Sequence, residues 1–137
     1  HDVRYLVIGG IAAVLHGVPR ATFDLDILIE ATTDNAERLI RAFLDAGLGT
    51  AALTTTEELL AHEITIFKDR VRVDVQTSTP GLVFPEAFER RETRNFRSTP
   101  VQVVAKQDLI LAKLAAGRPV DLEDARILQS LGDAEAE

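Results

Sequence analysis

The segment Asp24-Leu25-Asp26-Ile27-Leu28-Ile29-Glu30 alternates with the period of an extended chain, and it constrains the fold more than any other stretch. Leu25, Ile27 and Ile29 share one face, while Asp24, Asp26, Leu28 and Glu30 share the other. A strand of this kind is buried on one side and carries charge on the other, so it must belong to a sheet covered on its apolar face. The segment "VRVDVQT" repeats the pattern, with Val71, Val73 and Val75 opposite Arg72, Asp74 and Gln76. It follows "EITIF" across Lys68, Asp69 and Arg70, a spacing that predicts a tight hairpin. "VRYLVIGG" and "VQVV" read as further strands, the first closed by Gly9 and Gly10.

Helical segments are interleaved with these strands. "GIAAVLHG" is apolar nearly all round and ends at Gly17, suited to a left-handed cap. "TDNAERLIRAFLDAG" spaces Ala36, Leu39, Ile40, Phe43 and Leu44 on one helical stripe, with Asp34 as the expected cap. "TTTEELLAH" carries a capping box, Thr55 with Glu58. "PGLVFPEAFERR" predicts a loop and a turn or two of helix. "AKQDLILAKLAAG" is a helix ended by Gly117, and Asp121 is expected to cap "LEDARILQSL" ahead of a frayed acidic tail. The chain therefore predicts an α/β (α+β) fold: a mixed β-sheet covered by helices, in one domain over 1–137. Its core is expected over 3–104 and its C-terminal helices over 105–131.

Composition removes several classes. Hydrophobic residues make up 46% and charged residues 27%, as in ordinary soluble proteins. No apolar run is long enough to span a bilayer and no signal peptide is visible, so a cytoplasmic location is expected and a membrane partner is not. Without cysteine there is neither a disulfide nor a thiolate zinc site. A net charge of -7 argues against a surface that grips nucleic acid throughout. The one basic cluster is "RRETRNFR", with Arg90, Arg91, Arg94 and Arg97; it reads as a solvated helix end and strand start before it reads as a binding stripe.

Residues i and i+2 of a strand lie about 6.8 Å apart on one face, so Asp24 and Asp26 can aim at one small volume. Such acids resist joint ionisation unless a cation intervenes, and hard oxygen donors suit Mg²⁺. If the hairpin strand neighbours theirs, Asp74 joins the same face, and three carboxylates could hold two metals in line for phosphoryl-type transfer. Gly9 and Gly10, between strand and helix, let backbone N–H groups approach an anionic phosphate. Lys106 and Lys113, seven positions apart, share a helix face to within about 20° and offer a cationic edge for a triphosphate. Arg20 is placed to contact the nucleotide or to pair with Asp24. His16, beside its Gly cap, reads as structural before it reads as a base, and His62 shows no partner.

Gly9-Gly10, a short helix, Asp24-Leu25-Asp26 between apolar residues and Asp74 on a later strand together resemble the polymerase-beta-type nucleotidyltransferase superfamily. "GGIAAVLHGVPRATFDLD" is similar to compact bacterial members grouped with the AbiEii toxin-type nucleotidyltransferases. "LILAKLAAGRPVDLEDARIL" resembles their lysine helix followed by an arginine and D-x-x-D. The resemblance implies a nucleotidyltransferase fold and a Mg²⁺-dependent enzyme. By it, Gly9 and Gly10 hold the triphosphate of an NTP, Asp24 and Asp26 bind Mg²⁺, and Asp74 completes the site and activates a hydroxyl; Asp121 or Asp124 stands as the alternative third carboxylate. The acceptor it implies is a tRNA end or a protein side chain in a toxin–antitoxin or phage-defence setting, with a cognate antitoxin as partner. A small hydroxyl compound such as an aminoglycoside, and a non-catalytic nucleotide- or partner-binding module, are the other readings.

Overall fold

The computed structural model describes every residue except Thr22, Phe23, Arg70 and Glu137, with side chains given through Leu131. The elements run β1 (Tyr5–Ile8), α1 (Gly9–Leu15), β2 (Leu25–Ile29), α2 (Thr33–Asp45), a 3-10 turn (Gly49–Leu53), α3 (Thr56–Ala61), β3 (Ile64–Lys68) and β4 (Arg72–Gln76). They continue with α4 (Phe84–Glu89), β5 (Glu92–Phe96), β6 (Thr99–Val103), α5 (Lys106–Ala116) and α6 (Pro119–Ala136). Arg70, assigned to the β3–β4 turn from the sequence, lies outside the described residues.

Six strands form one mixed sheet in the order β3-β4-β2-β1-β6-β5. β2 is antiparallel to β1 and parallel to β4, so the two acid-bearing strands are direct neighbours near the centre. The period-two pattern explains the layering. Val7, Leu25 and Ile27 turn toward Leu39 and Phe43 of α2, and Phe43 meets Phe67 of β3 edge-on, ring centroids 5.0 Å apart. Ile8, Asp26 and Asp74 turn the other way, toward Leu109 and Lys113 of α5. Leu6, Leu28, Ile29, Val75, Val103 and Leu128 are buried to 1% exposure or less and form the centre of the core. The mixed sheet between helices is the architecture the interleaving predicts. Among the described residues no helix is long and apolar enough to cross a membrane.

Three local expectations are corrected, and one turn was not foreseen. Thr32, not Asp34, caps α2, its hydroxyl accepting from the Asn35 N–H at 3.3 Å; Asp34 falls in the first turn, where its charge suits the helix dipole. Asp121 does not cap α6, because the helix already starts at Pro119, whose fixed φ and missing N–H suit the first helical position. The acidic tail is not frayed from its start: α6 continues to Ala136. The hairpin joining β5 to β6 turns through Arg97 and Ser98 at φ 51 and 65. Paired positive φ values of this kind are usually signalled by Asn-Gly, which is absent here.

Candidate active site

Asp26 occupies the second position of β2, opposite Ile8 on β1 and Asp74 on β4. Asp24 immediately precedes β2 and is exposed. All three acids line one cleft of about 570 Å³, floored by the sheet and walled by α5. A separate groove of about 240 Å³ on the other face has only aliphatic and aromatic lining residues and offers no carboxylate, lysine or arginine.

The cleft is electrostatically strained at Asp26. Its pKa is raised from 3.8 to about 6, first by burial, then by the charge of Asp74 and a hydrogen bond shared with it, and then by Asp24; Lys113 opposes the rise. The neighbouring carboxylate adds to the cost of ionising Asp26, and a cation between the two would relieve it. Among the described residues no group of three His, Cys, Asp or Glu is gathered into a ready-made metal cage. Mg²⁺ does not require one, since it is commonly bound through one or two carboxylates together with substrate phosphates. On donor chemistry, the Asp26–Asp74 pair fits that ion.

Gly9 closes the floor of the cleft. It lies at φ +67, and a Cβ there would stand 2.5 Å from Asp26 Oδ2. The glycine is thus required twice, by backbone conformation and by the approach of the carboxylate. Gly10 is the second residue of α1 and is not among the residues that line the cleft.

The expected cations separate. Lys113 lines the cleft and is 6% exposed. Its Nζ lies 3.0 Å from Asp124 and 3.4 Å from Asp121, both buried on α6. Arg118 forks Asp121 from 2.7 Å, and Arg20 reaches Asp124, rather than Asp24, at 2.7 Å. Burial raises the Asp121 pKa, but Arg118 and Lys113 outweigh it and hold the carboxyl below its ordinary value. Asp121 and Asp124 therefore sit in one buried charge network with Lys113. Lys106 begins α5 and does not line the cleft. Seven residues of helix separate it from Lys113 by about 10.5 Å along the axis, although both lie on one face.

His16 is buried, with Nε2 2.8 Å from the Val104 carbonyl, and is not among the residues that line the cleft. His62 bonds the Glu58 carbonyl through Nδ1. The arginine cluster stands before, on and just after β5, at the opposite edge of the sheet from β3 and β4. Arg90 forks Asp108 at 2.9 and 3.0 Å, Arg91 lies 3.9 Å above the Phe88 ring, Arg94 pairs with Glu92, and Arg97 stacks over Phe96. None of the four lines the cleft.

Sequence reasoning gave no role to Arg72, which lines the cleft and forks Asp74, Nε to Oδ1 at 2.9 Å. The signal was present in the i, i+2 spacing that placed both on one face.

A family model described as "Nucleotidyltransferase of unknown function (DUF6036)" matches residues 1–131. No curated protein matches the chain.

Proposed function

Because the chain belongs to the nucleotidyltransferase family DUF6036, we propose that it transfers a nucleoside monophosphate from an NTP to a hydroxyl acceptor, with Mg²⁺ held by Asp26 and Asp74 together with the substrate phosphates and with Asp24 joining from the same cleft. The observation that carries the reading is the Asp26–Asp74 pair in register on neighbouring strands, with Gly9 packed against it. Bound there, Mg²⁺ would neutralise charge on the triphosphate and hold it in line. The chain's own residues do the rest. Gly9, with no side chain, leaves room for Asp26 at the bend where phosphate is to approach. Asp74 accepts the proton of the attacking hydroxyl as the new oxygen–phosphorus bond forms and pyrophosphate leaves with the electrons of the broken bond. Lys113, held at the wall of the cleft by Asp121 and Asp124, adds its charge to the positive potential that the departing phosphates meet without leaving those partners.

Two acceptor readings follow from different observations. The four arginines lie away from the cleft, and the chain carries a net charge of -7, which supports a small polycationic hydroxyl compound drawn in by steering. The likeness of the Gly9–Asp26 and Leu109–Leu128 segments to AbiEii toxin-type enzymes supports a tRNA end or a protein side chain, in a toxin–antitoxin setting. A binding module without turnover is disfavoured, because mutually repelling acids on adjacent strands cost stability unless they serve a cation.

The test is incubation with each labelled NTP and Mg²⁺, with bulk RNA in one series and aminoglycosides in another, beside Asp26→Asn. Label transfer or pyrophosphate release that disappears in the variant is expected. Equal behaviour of the two proteins overturns the enzyme reading.

A further inference from the structure

Arg72 opens β4 two residues before Asp74, on the same face of the sheet. Its Nε lies 2.9 Å from Oδ1 and a terminal nitrogen 3.3 Å from Oδ2, so one guanidinium occupies both carboxylate oxygens. The arginine side chain is 38% exposed against 17% for the aspartate, so the fork approaches from the solvent side. Asp24 and Asp26 add to the attraction. The other cations lining the cleft among the described residues are committed elsewhere: Lys113 to Asp121 and Asp124, Arg118 to Asp121. Arg72 is the one whose partner belongs to the acid pair.

We propose that Arg72 is a phosphate ligand that changes partner: it neutralises Asp74 until a divalent cation takes that carboxylate, and its guanidinium, released at the rim, then grips the triphosphate. This rests on the nucleotidyltransferase reading and extends it to a residue that reading does not use. A guanidinium forked across both oxygens repels a cation arriving at the same carboxylate, so metal binding at Asp74 loosens the fork. The planar fork that matches a carboxylate matches phosphate oxygens equally well. Its half-exposed position lets the side chain rotate from one to the other without opening the core.

The test separates the two halves of the exchange. Mn²⁺ binding is followed by the electron paramagnetic resonance signal of the free ion, for the native chain, Arg72→Gln, Arg72→Lys and Asp26→Asn. Inorganic tripolyphosphate is then titrated calorimetrically at saturating Mn²⁺. Arg72→Gln should bind Mn²⁺ about fivefold tighter, the scale of a half-exposed ion pair, and tripolyphosphate at least about fivefold more weakly. Arg72→Lys should fall between the two for Mn²⁺ and fail to restore tripolyphosphate binding, because an ammonium lacks the fork. If Mn²⁺ binds in an Asp26-dependent way while Arg72→Gln leaves both affinities unchanged, or moves them in the same direction, the exchange is overturned and the enzyme reading stands. If the native chain binds neither probe, both fail together.

Discussion

Asp26 faces Asp74 across the parallel β2–β4 ladder, and the next rung sets Ile27 opposite Val75. One register therefore delivers two carboxylates to the cleft face and two aliphatic side chains to the core face. A slip by one residue would bury the acids and expose the core, so the hydrophobic pattern that specifies the sheet also assembles the site.

The pair gives stability a particular pH dependence. Asp26 titrates at about 6 in the folded chain against 3.8 ordinarily. Between those values the folded state binds more protons than the unfolded one, so this group's contribution falls as pH rises from about 4 to 6 and is flat above. With allowance for solvent screening of a half-buried group, the loss is about 1–2 kcal/mol. Asp26→Asn should be more stable than the native chain at pH 7 by that amount, and the advantage should vanish near pH 4. Urea unfolding of both proteins across that range measures it.

Gly9→Ala should be far more damaging than Gly10→Ala. The first places a side chain at φ +67 and sets its Cβ 2.5 Å from Asp26 Oδ2, whereas Gly10 is not among the glycines at positive φ. Backbone strain alone costs about 1–2 kcal/mol, and relief of the clash must move Asp26. Thermal unfolding with Mn²⁺ binding should show both losses in Gly9→Ala and at most the ordinary cost of a helical substitution in Gly10→Ala.

The acidic strands were legible because alternation is a local property: Leu25, Ile27, Val73 and Val75 announce a buried face, and Asp26 and Asp74 then have only one side to occupy. That β2 and β4 are neighbours is a matter of long-range pairing, which the sequence offered only as a condition. Side-chain reach was less legible still. Arg20 was placed near Asp24 by proximity in the chain, but it bonds Asp124, more than a hundred positions away. Lys106 shared a helical face with Lys113, yet position along the axis, not only around it, decides which of them meets the cleft. Arg72 was passed over because an arginine on a polar strand face is ordinary until its partner is known.

The arginines flanking β5 should prove dispensable for transfer. Arg91 and Arg97 rest on Phe88 and Phe96 at the far edge of the sheet. Their joint replacement by alanine should change stability by no more than about 1 kcal/mol and leave product yield unaltered with a small acceptor. If RNA is the acceptor and this edge binds it, the same change would lower yield and flatten its salt dependence. Yield measured at two salt concentrations decides.

Lys113 should be needed for the fold before it is needed for chemistry. The residue is 6% exposed and its ammonium stands between Asp121 and Asp124, themselves 1% and 2% exposed. Lys113→Met keeps the length of the side chain but removes the charge, leaving two buried carboxylates to Arg118 and Arg20 alone. Removing one member of a buried ion pair costs about 3–5 kcal/mol, and the remaining arginines should hold the loss near about 3 kcal/mol. Its pH dependence identifies the cause. Asp121 is held below the ordinary 3.8 by Arg118 and Lys113 against the cost of burial, so the stability it supplies is present above that value and lost as pH falls through the folded pKa. Without Lys113 less of that stability exists to lose, and the gap between variant and native chain should narrow on acidification. A gap that stays constant with pH would mean the lysine contributes packing of its stem, not charge. Lys106→Ala, outside the cleft lining, should leave tripolyphosphate binding unchanged.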